Sequence, residues 1–185
     1  MIFYTDISNL EIDKLNYKSS ASYVGHLLLK YALKRYGVKI EKHEISYGKY
    51  GKPYITDIKY HFNISHSNNL VYVIIGKNEC GIDVEMVDET KDMDKIINKF
   101  FPHQHAELCA CLDDDLKREY FYIFWTMMEA NAKKEGISIL KYRNENSKPI
   151  DNFFVKDKLG NQYCLAYTLE NQKRVKIEFN ELNTI

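Results

Sequence analysis

The chain has 185 residues, 45% of them hydrophobic, which supports a packed core and excludes disorder as its ground state. Its 26 basic and 26 acidic side chains cancel, so net charge cannot draw it to nucleic acid or to a membrane surface. Any charged site has to arise from local clustering.

The N-terminal run Met1-Ile2-Phe3-Tyr4-Thr5-Asp6 carries no charged segment ahead of a long apolar one, and it reads as the start of a strand over 2–8 and not as a signal peptide. No stretch approaches the roughly eighteen apolar residues that would span a bilayer. Ser19-Ser20 then opens an amphipathic run in which Val24, Leu27, Leu28 and Tyr31 recur at helical spacing and Gly37 follows the end. Lys30, Lys34 and Arg35 occupy its other face. Turn signals at Gly48, Gly51 and Pro53 follow.

Leu70 to Ile75 is apolar and β-branched, and Lys77-Asn78-Glu79 separates it from Cys80 to Val87, so 70–87 reads as a hairpin. Polar Asp88 to Asp94 is the candidate link between two halves, 1–90 and 91–185. The second half opens with a helical stretch, Ile96 to Leu112. A long helix from about Asp115 to Lys134 follows, closed by Gly136, with an apolar stripe of Phe121, Phe124, Trp125, Met128 and Ala132. Three strands are expected around Phe153-Val155, Gln162-Thr168 and Arg174-Phe179, with turns at Gly160-Asn161 and Asn171-Gln172. The fold class is α+β: two similar α+β halves in which the hairpins 70–87 and 162–179 correspond. Cys80, Cys109, Cys111 and Cys164 are few and irregularly spaced, as in a reducing, cytoplasmic protein.

Four places could carry chemistry. Asp83 and Glu85 lie two apart on a strand and share a face, the spacing at which two carboxylates hold one hard divalent cation; a strand with one wet face gives the same pattern. Trp125, Glu129 and Lys133 line one side of the long helix, where Glu129 can add a carboxylate and Lys133 can face a phosphate, or the two can form an ordinary surface pair. Phe62-Asn63-Ile64-Ser65-His66-Ser67 offers several donors to an anion or is simply a polar loop. Tyr50-Gly51-Lys52-Pro53 is a turn with one lysine. His103, His105, Cys109 and Cys111 crowd together, but structural zinc sites draw their pairs from separated segments, so buried cysteines and exposed histidines are the expectation there.

The order of these motifs is more specific than any one of them. Gly51-Lys52-Pro53, Phe62-Asn63-Ile64-Ser65-His66-Ser67, Gly81-Ile82-Asp83-Val84-Glu85, Phe100-Phe101 and the run from Trp125-Thr126 through Glu129-Ala130 and Lys133 to Gly136 resemble the motif series of the 4′-phosphopantetheinyl transferase superfamily, in its pseudo-dimeric, Sfp-like branch. The match covers roughly residues 18 to 136 and extends weakly through Tyr163-Cys164-Leu165-Ala166.

The resemblance implies two halves related by a pseudo-two-fold axis, with the site in the cleft between them. It implies that the pantetheine arm of coenzyme A moves to a serine of an apo acyl or peptidyl carrier protein, with Mg²⁺ held by Asp83, Glu85 and Glu129. Glu129 is then the base, Lys133 faces the departing phosphate, and Lys52, Ser65, His66 and Lys133 hold coenzyme A. Nonribosomal peptide or polyketide carriers are expected, with a fatty-acid carrier the nearer alternative, and Lys30, Lys34 or Arg35 as candidates for docking an acidic carrier. A monomer is expected, with no nucleic acid or membrane as partner. Three departures stand out. Met128 replaces a lysine before the motif glutamate, Ala21 replaces an arginine four residues before Gly25 with Lys18 nearby, and the stretch after Gly136 is short for a longer relative's hairpin. The first two favour the alternative reading, a non-catalytic relative that binds coenzyme A or the carrier.

Overall fold

In the computed structural model two long helices sandwich two β-sheets, because the chain supplies strands that are apolar on both faces. Residues 1–9, 17–142, 150–170 and 172–182 are described, residues 17–19 by their backbone alone. The Lys18 side chain and Asn171 therefore lie outside the described residues.

The first sheet has the order β4-β5-β1-β9, built from β1 (Ile2–Asp6), β4 (His61–Ser67), β5 (Leu70–Gly76) and β9 (Arg174–Lys176). β5 is antiparallel to both β4 and β1, whereas β9 runs parallel to β1. The second sheet, β6-β8-β7, is antiparallel throughout: β6 (Ile82–Met86), β7 (Asp151–Lys156) and β8 (Gln162–Tyr167). A two-stranded ribbon, β2 (Ser46–Tyr47) with β3 (Pro53–Tyr54), is hydrogen-bonded into neither sheet.

Burial shows why β5 reads as an unbroken apolar run. Val71, Val73 and Ile75 face α1 (Tyr17–Arg35), packing with Leu28, Leu29, Ala32 and Leu33. Leu70, Tyr72 and Ile74 face the second sheet, packing with Ile82, Val84, Tyr163 and Leu165. A strand covered on both sides has no wet face to alternate. The outer face of the second sheet is covered by α4 (Asp114–Glu135), whose Phe121, Phe124, Trp125 and Met128 join Cys164 in a third cluster.

The termini of α4 follow the rules for helix ends. Asp113 accepts a hydrogen bond from Leu116 N at its start, and Gly136 closes it in the left-handed region at φ 64°. α1 begins at Tyr17, ahead of the expected Ser19-Ser20. The expected 96–112 helix is two helices, α2 (Met93–Phe100) and α3 (His103–Ala110), because Pro102 has no amide hydrogen to continue the first and holds Phe101 extended at ψ 141°. The short α5 (Phe179–Leu182) follows β9. No helix among the described residues is long and apolar enough to cross a membrane.

The strand pairing corrects the expected hairpins. β5 and β6 are not partners: β6 crosses to β8 in the other sheet, and β9 likewise leaves β8 for β1. The adjacent pairs are β4 with β5, through Asn68-Asn69, and β7 with β8, through 157–161. Asn68 takes φ 44° in its turn, a conformation that asparagine tolerates better than most residues. Two units of strand, helix and hairpin emerge, β1-α1-β4-β5 and β6-α4-β7-β8, with the same strand order in each sheet. A cut at residue 90 would part β6 from β8.

Candidate active site

Three elements meet along β6. Its inner residues, Ile82 and Val84, are sealed between the sheets, so Asp83 and Glu85 point the other way, toward α4. Gly81 allows the approach. A Cβ there would lie 1.9 Å from the carbonyl oxygen of Ala130 and 2.6 Å from the Lys134 amide, so the strand rests directly on the helix backbone. That contact delivers Asp83 to Lys133.

The Lys133 Nζ donates to Asp83 Oδ1 at 2.6 Å and to the Ser65 hydroxyl at 3.0 Å. Ser65 donates in turn to Asp83 Oδ1 at 3.1 Å. Asp83 is 3% exposed, and its other oxygen, Oδ2, is buried with no hydrogen-bond partner. A buried carboxylate oxygen left without a donor is costly and uncommon.

Two more carboxylates crowd this one. Burial pushes the Glu129 carboxyl up to about 7, helped by the negative charges of Asp83 and Glu85 and opposed by Lys133 and Lys91. Glu85 is raised by burial first and then by Asp83, again against Lys91 and Lys133. For Lys133, burial alone would favour the neutral amine, but Asp83, Glu129 and Glu85 outweigh it and its pKa rises. Lys91, from the loop after β6, approaches Glu85 Oε2 at 3.5 Å and lies over the Tyr122 ring.

The acidic group fits a hard cation chemically: all-oxygen donors, an orphaned oxygen on Asp83, and a surplus of negative charge over the two lysines. Among the described residues no three His, Cys, Asp or Glu side chains are gathered closely enough to hold a metal ion as they stand. Asp83 Oδ1 is instead ion-paired with the Lys133 ammonium.

The other expected residues are distributed differently. Phe62–Ser67 forms most of strand β4, not a loop; its alternation was hidden because the polar Asn63 and Ser65 are themselves buried. His66 shares the β4 face of Phe62 and Ile64, which pack with the α1 core, and so lies across the strand from Ser65. Lys52 sits at the C-terminal end of α4, where its Nζ donates to Glu79 and to the Lys134 carbonyl. It lines a pocket of about 420 Å³ with Pro53, Tyr54, His61, Glu79 and Gly136.

Met128 is buried at 3% exposure, as its place on the apolar stripe requires, and Ala21 is wholly buried in the α1 core. Trp125 is core as well, stacked on Phe121 and edge-on to Phe100. The His/Cys group is engaged piecemeal. His105 bonds Tyr120 and stacks on Phe124, His103 pairs with Glu107, Cys109 is buried and Cys111 exposed.

Sequence reasoning missed Lys91, which the polar linker gave no reason to single out. It also missed the part played by Gly81, for which a signal existed: an isolated glycine inside a strand marks a close backbone approach.

Comparison with known proteins bears on this geometry. Residues 79–182 match the 4′-phosphopantetheinyl transferase superfamily, a segment that contains β6, α4 and the second sheet. The 4′-phosphopantetheinyl transferase Sfp of Bacillus subtilis is 32% identical over 137 residues, covering 72% of this chain and 56% of its own length. A second Bacillus subtilis 4′-phosphopantetheinyl transferase is 36% identical over 139 residues, with the same coverages. The 4′-phosphopantetheinyl transferase HetI of Nostoc is 33% identical over 110 residues, covering 57% of this chain and 46% of its own. The chain spans about half the length of the curated relatives it matches. With Asp83, Glu85, Glu129 and Lys133 inside the matched segment and meeting where β6 rests on α4, the chain belongs to the 4′-phosphopantetheinyl transferase superfamily.

Proposed function

We propose that this protein transfers the 4′-phosphopantetheine arm of coenzyme A to a serine of an apo carrier protein and releases 3′,5′-ADP. The observation that carries the reading is the buried, half-satisfied carboxylate of Asp83 beside a glutamate of raised basicity and a lysine.

The serine oxygen attacks the β-phosphorus of coenzyme A, forming one P–O bond as the bond to the bridging oxygen of the α-phosphate breaks. Glu129 takes the serine proton. Without a cation, burial and its acidic neighbours hold this carboxyl at about 7, well above an ordinary glutamate, and a bound cation would lower it toward the ionised form. Lys133 offsets charge on the leaving phosphate, and Ser65 and Asp83 hold its ammonium in place. Asp83, Glu85 and Glu129 would hold Mg²⁺, which supplies positive charge against the pyrophosphate.

Lys52, His66 and Ser65 serve coenzyme A, with the pocket beside Lys52 taking the nucleotide end; Ser65 acts from within, through Lys133. The two strand–helix–hairpin units are related by a pseudo-two-fold axis. The carrier belongs to nonribosomal peptide or polyketide synthesis, and the protein works in the cytoplasm as a monomer.

The test is direct. Incubation with coenzyme A, Mg²⁺ and a panel of apo-carriers should add the pantetheine mass to at least one. If none gains it while coenzyme A still binds, the non-catalytic alternative replaces this reading.

A further inference from the structure

β6 is an edge strand of its sheet: β8 pairs one side, and the amides of Ile82, Val84 and Met86 point away from it. Such amides need partners when buried. Here they come from side chains. Asn63 Oδ1 accepts from Ile82 N at 3.0 Å, Ser65 Oγ from Val84 N at 3.2 Å, and Ser67 Oγ from Met86 N at 3.0 Å.

The spacing explains the match. Alternate residues of β4 share one face, and alternate amides of β6 share one edge, so three side chains two apart meet three amides two apart. The first bond falls one residue before Asp83 and the last one residue after Glu85. The ladder therefore brackets both carboxylates and ties the position of β6 to the other sheet.

We propose that Asn63 and Ser67 are positioning residues for the transfer, acting through the β6 backbone to fix Asp83 and Glu85 against Glu129 and Lys133. This rests on the transferase reading above. Neither residue touches the carboxylates; each holds the strand that carries them. Ser65 is the rung that also reaches the site, since the same hydroxyl contacts Asp83 and Lys133.

Ser67→Ala and Asn63→Leu each remove one acceptor, and Ser67→Thr keeps it. Transfer is measured with Mn²⁺ affinity, read by the loss of free-ion paramagnetic signal, at a temperature where melting curves show every variant fully folded. Ser67→Ala and Asn63→Leu should each lose about 10-fold in kcat and about 10-fold in Mn²⁺ affinity, with little change in KM for the carrier. Ser67→Thr should restore both. Amide exchange should quicken at Met86 in Ser67→Ala and at Ile82 in Asn63→Leu.

Lowered melting temperatures with kcat and Mn²⁺ affinity unchanged would make the ladder merely structural and overturn the proposal. A wild-type protein that binds Mn²⁺ but modifies no carrier sinks the transferase reading alone, and weakened Mn²⁺ binding in the variants then still supports the positioning role. Neither transfer nor Mn²⁺ binding by the wild type overturns both.

Discussion

β1 and β6 hold equivalent places in their units, each preceding a long helix and lying antiparallel to the second strand of a hairpin. Their outer edges are finished differently. β1 receives another strand: β9 runs beside it, with Ile2 N bonded to Lys173 O and Ile177 N to Tyr4 O. β6 receives the side chains of Asn63, Ser65 and Ser67. A strand satisfies an edge through backbone alone and imposes no chemistry. A side-chain ladder satisfies the same amides and brings hydroxyl groups with it. The acidic cluster stands at the edge finished by side chains.

The sharpest way to break this comparison is at Asp83. Asp83→Ala should lower transfer on the order of 1,000-fold, measured at a temperature where melting curves show the variant folded, because removing Asp83 also leaves the Lys133 ammonium without its main partner and lowers the melting temperature. Near wild-type turnover would remove Asp83 from the chemistry.

Next in size are two glycines at which an element comes close to its neighbour. A Cβ on Gly25 in α1 would meet the Ile64 Cγ2 at 2.9 Å, the end of a side chain that can move, whereas on Gly81 it would meet backbone at 1.9 Å. Gly81→Ala should cost about 3 kcal/mol and Gly25→Ala about 1 kcal/mol in urea unfolding. Equal costs would mean that β6 does not rest on α4 as closely as described.

Lys52→Ala should act on binding and spare the bond-making step. Removing its charge from the pocket beyond Gly136 should raise the coenzyme A requirement about 10- to 100-fold with kcat little changed. A fall in kcat at unchanged KM would move Lys52 into the transfer step itself.

Much of this was legible in the sequence. The long helix was readable to within a residue at each end because its cap, its apolar stripe and Gly136 all agree. Asp83, Glu85, Glu129 and Lys133 could be brought together on motif order, and Met128 could be assigned to the core. The pairing of strands was not legible: Leu70–Gly76 and Ile82–Met86 follow one another in sequence and both read as strands, yet nothing local says that the second crosses to another sheet. Asn63, Ser65 and Ser67 read as a polar loop because polarity usually means exposure. Asn63 and Ser65 are buried and Ser67 half-buried because their partners are amides of a distant strand.

The smallest effect expected is a dependence of stability on pH, and its sign follows from Glu129. The folded protein holds this carboxyl at about 7, above its ordinary 4.5, through burial and the charges of Asp83 and Glu85. Between those values the folded state keeps a proton that the unfolded state gives up. Stability therefore falls as pH rises through that window: the contribution is complete below about 4.5 and gone above about 7. Glu129 is partly open to solvent, which screens the effect to something on the order of 1 kcal/mol. In the absence of divalent ions, the urea midpoint should be higher at pH 5 than at pH 7.5, and Glu129→Gln should flatten that difference. Mg²⁺ should raise the midpoint at pH 7.5 more than at pH 5, because a cation competes with the proton for the same carboxylates. A midpoint that rose with pH in the wild type and not in Glu129→Gln would mean that Glu129 is stabilised as its anion, and the surplus of negative charge inferred around β6 would have to be given up.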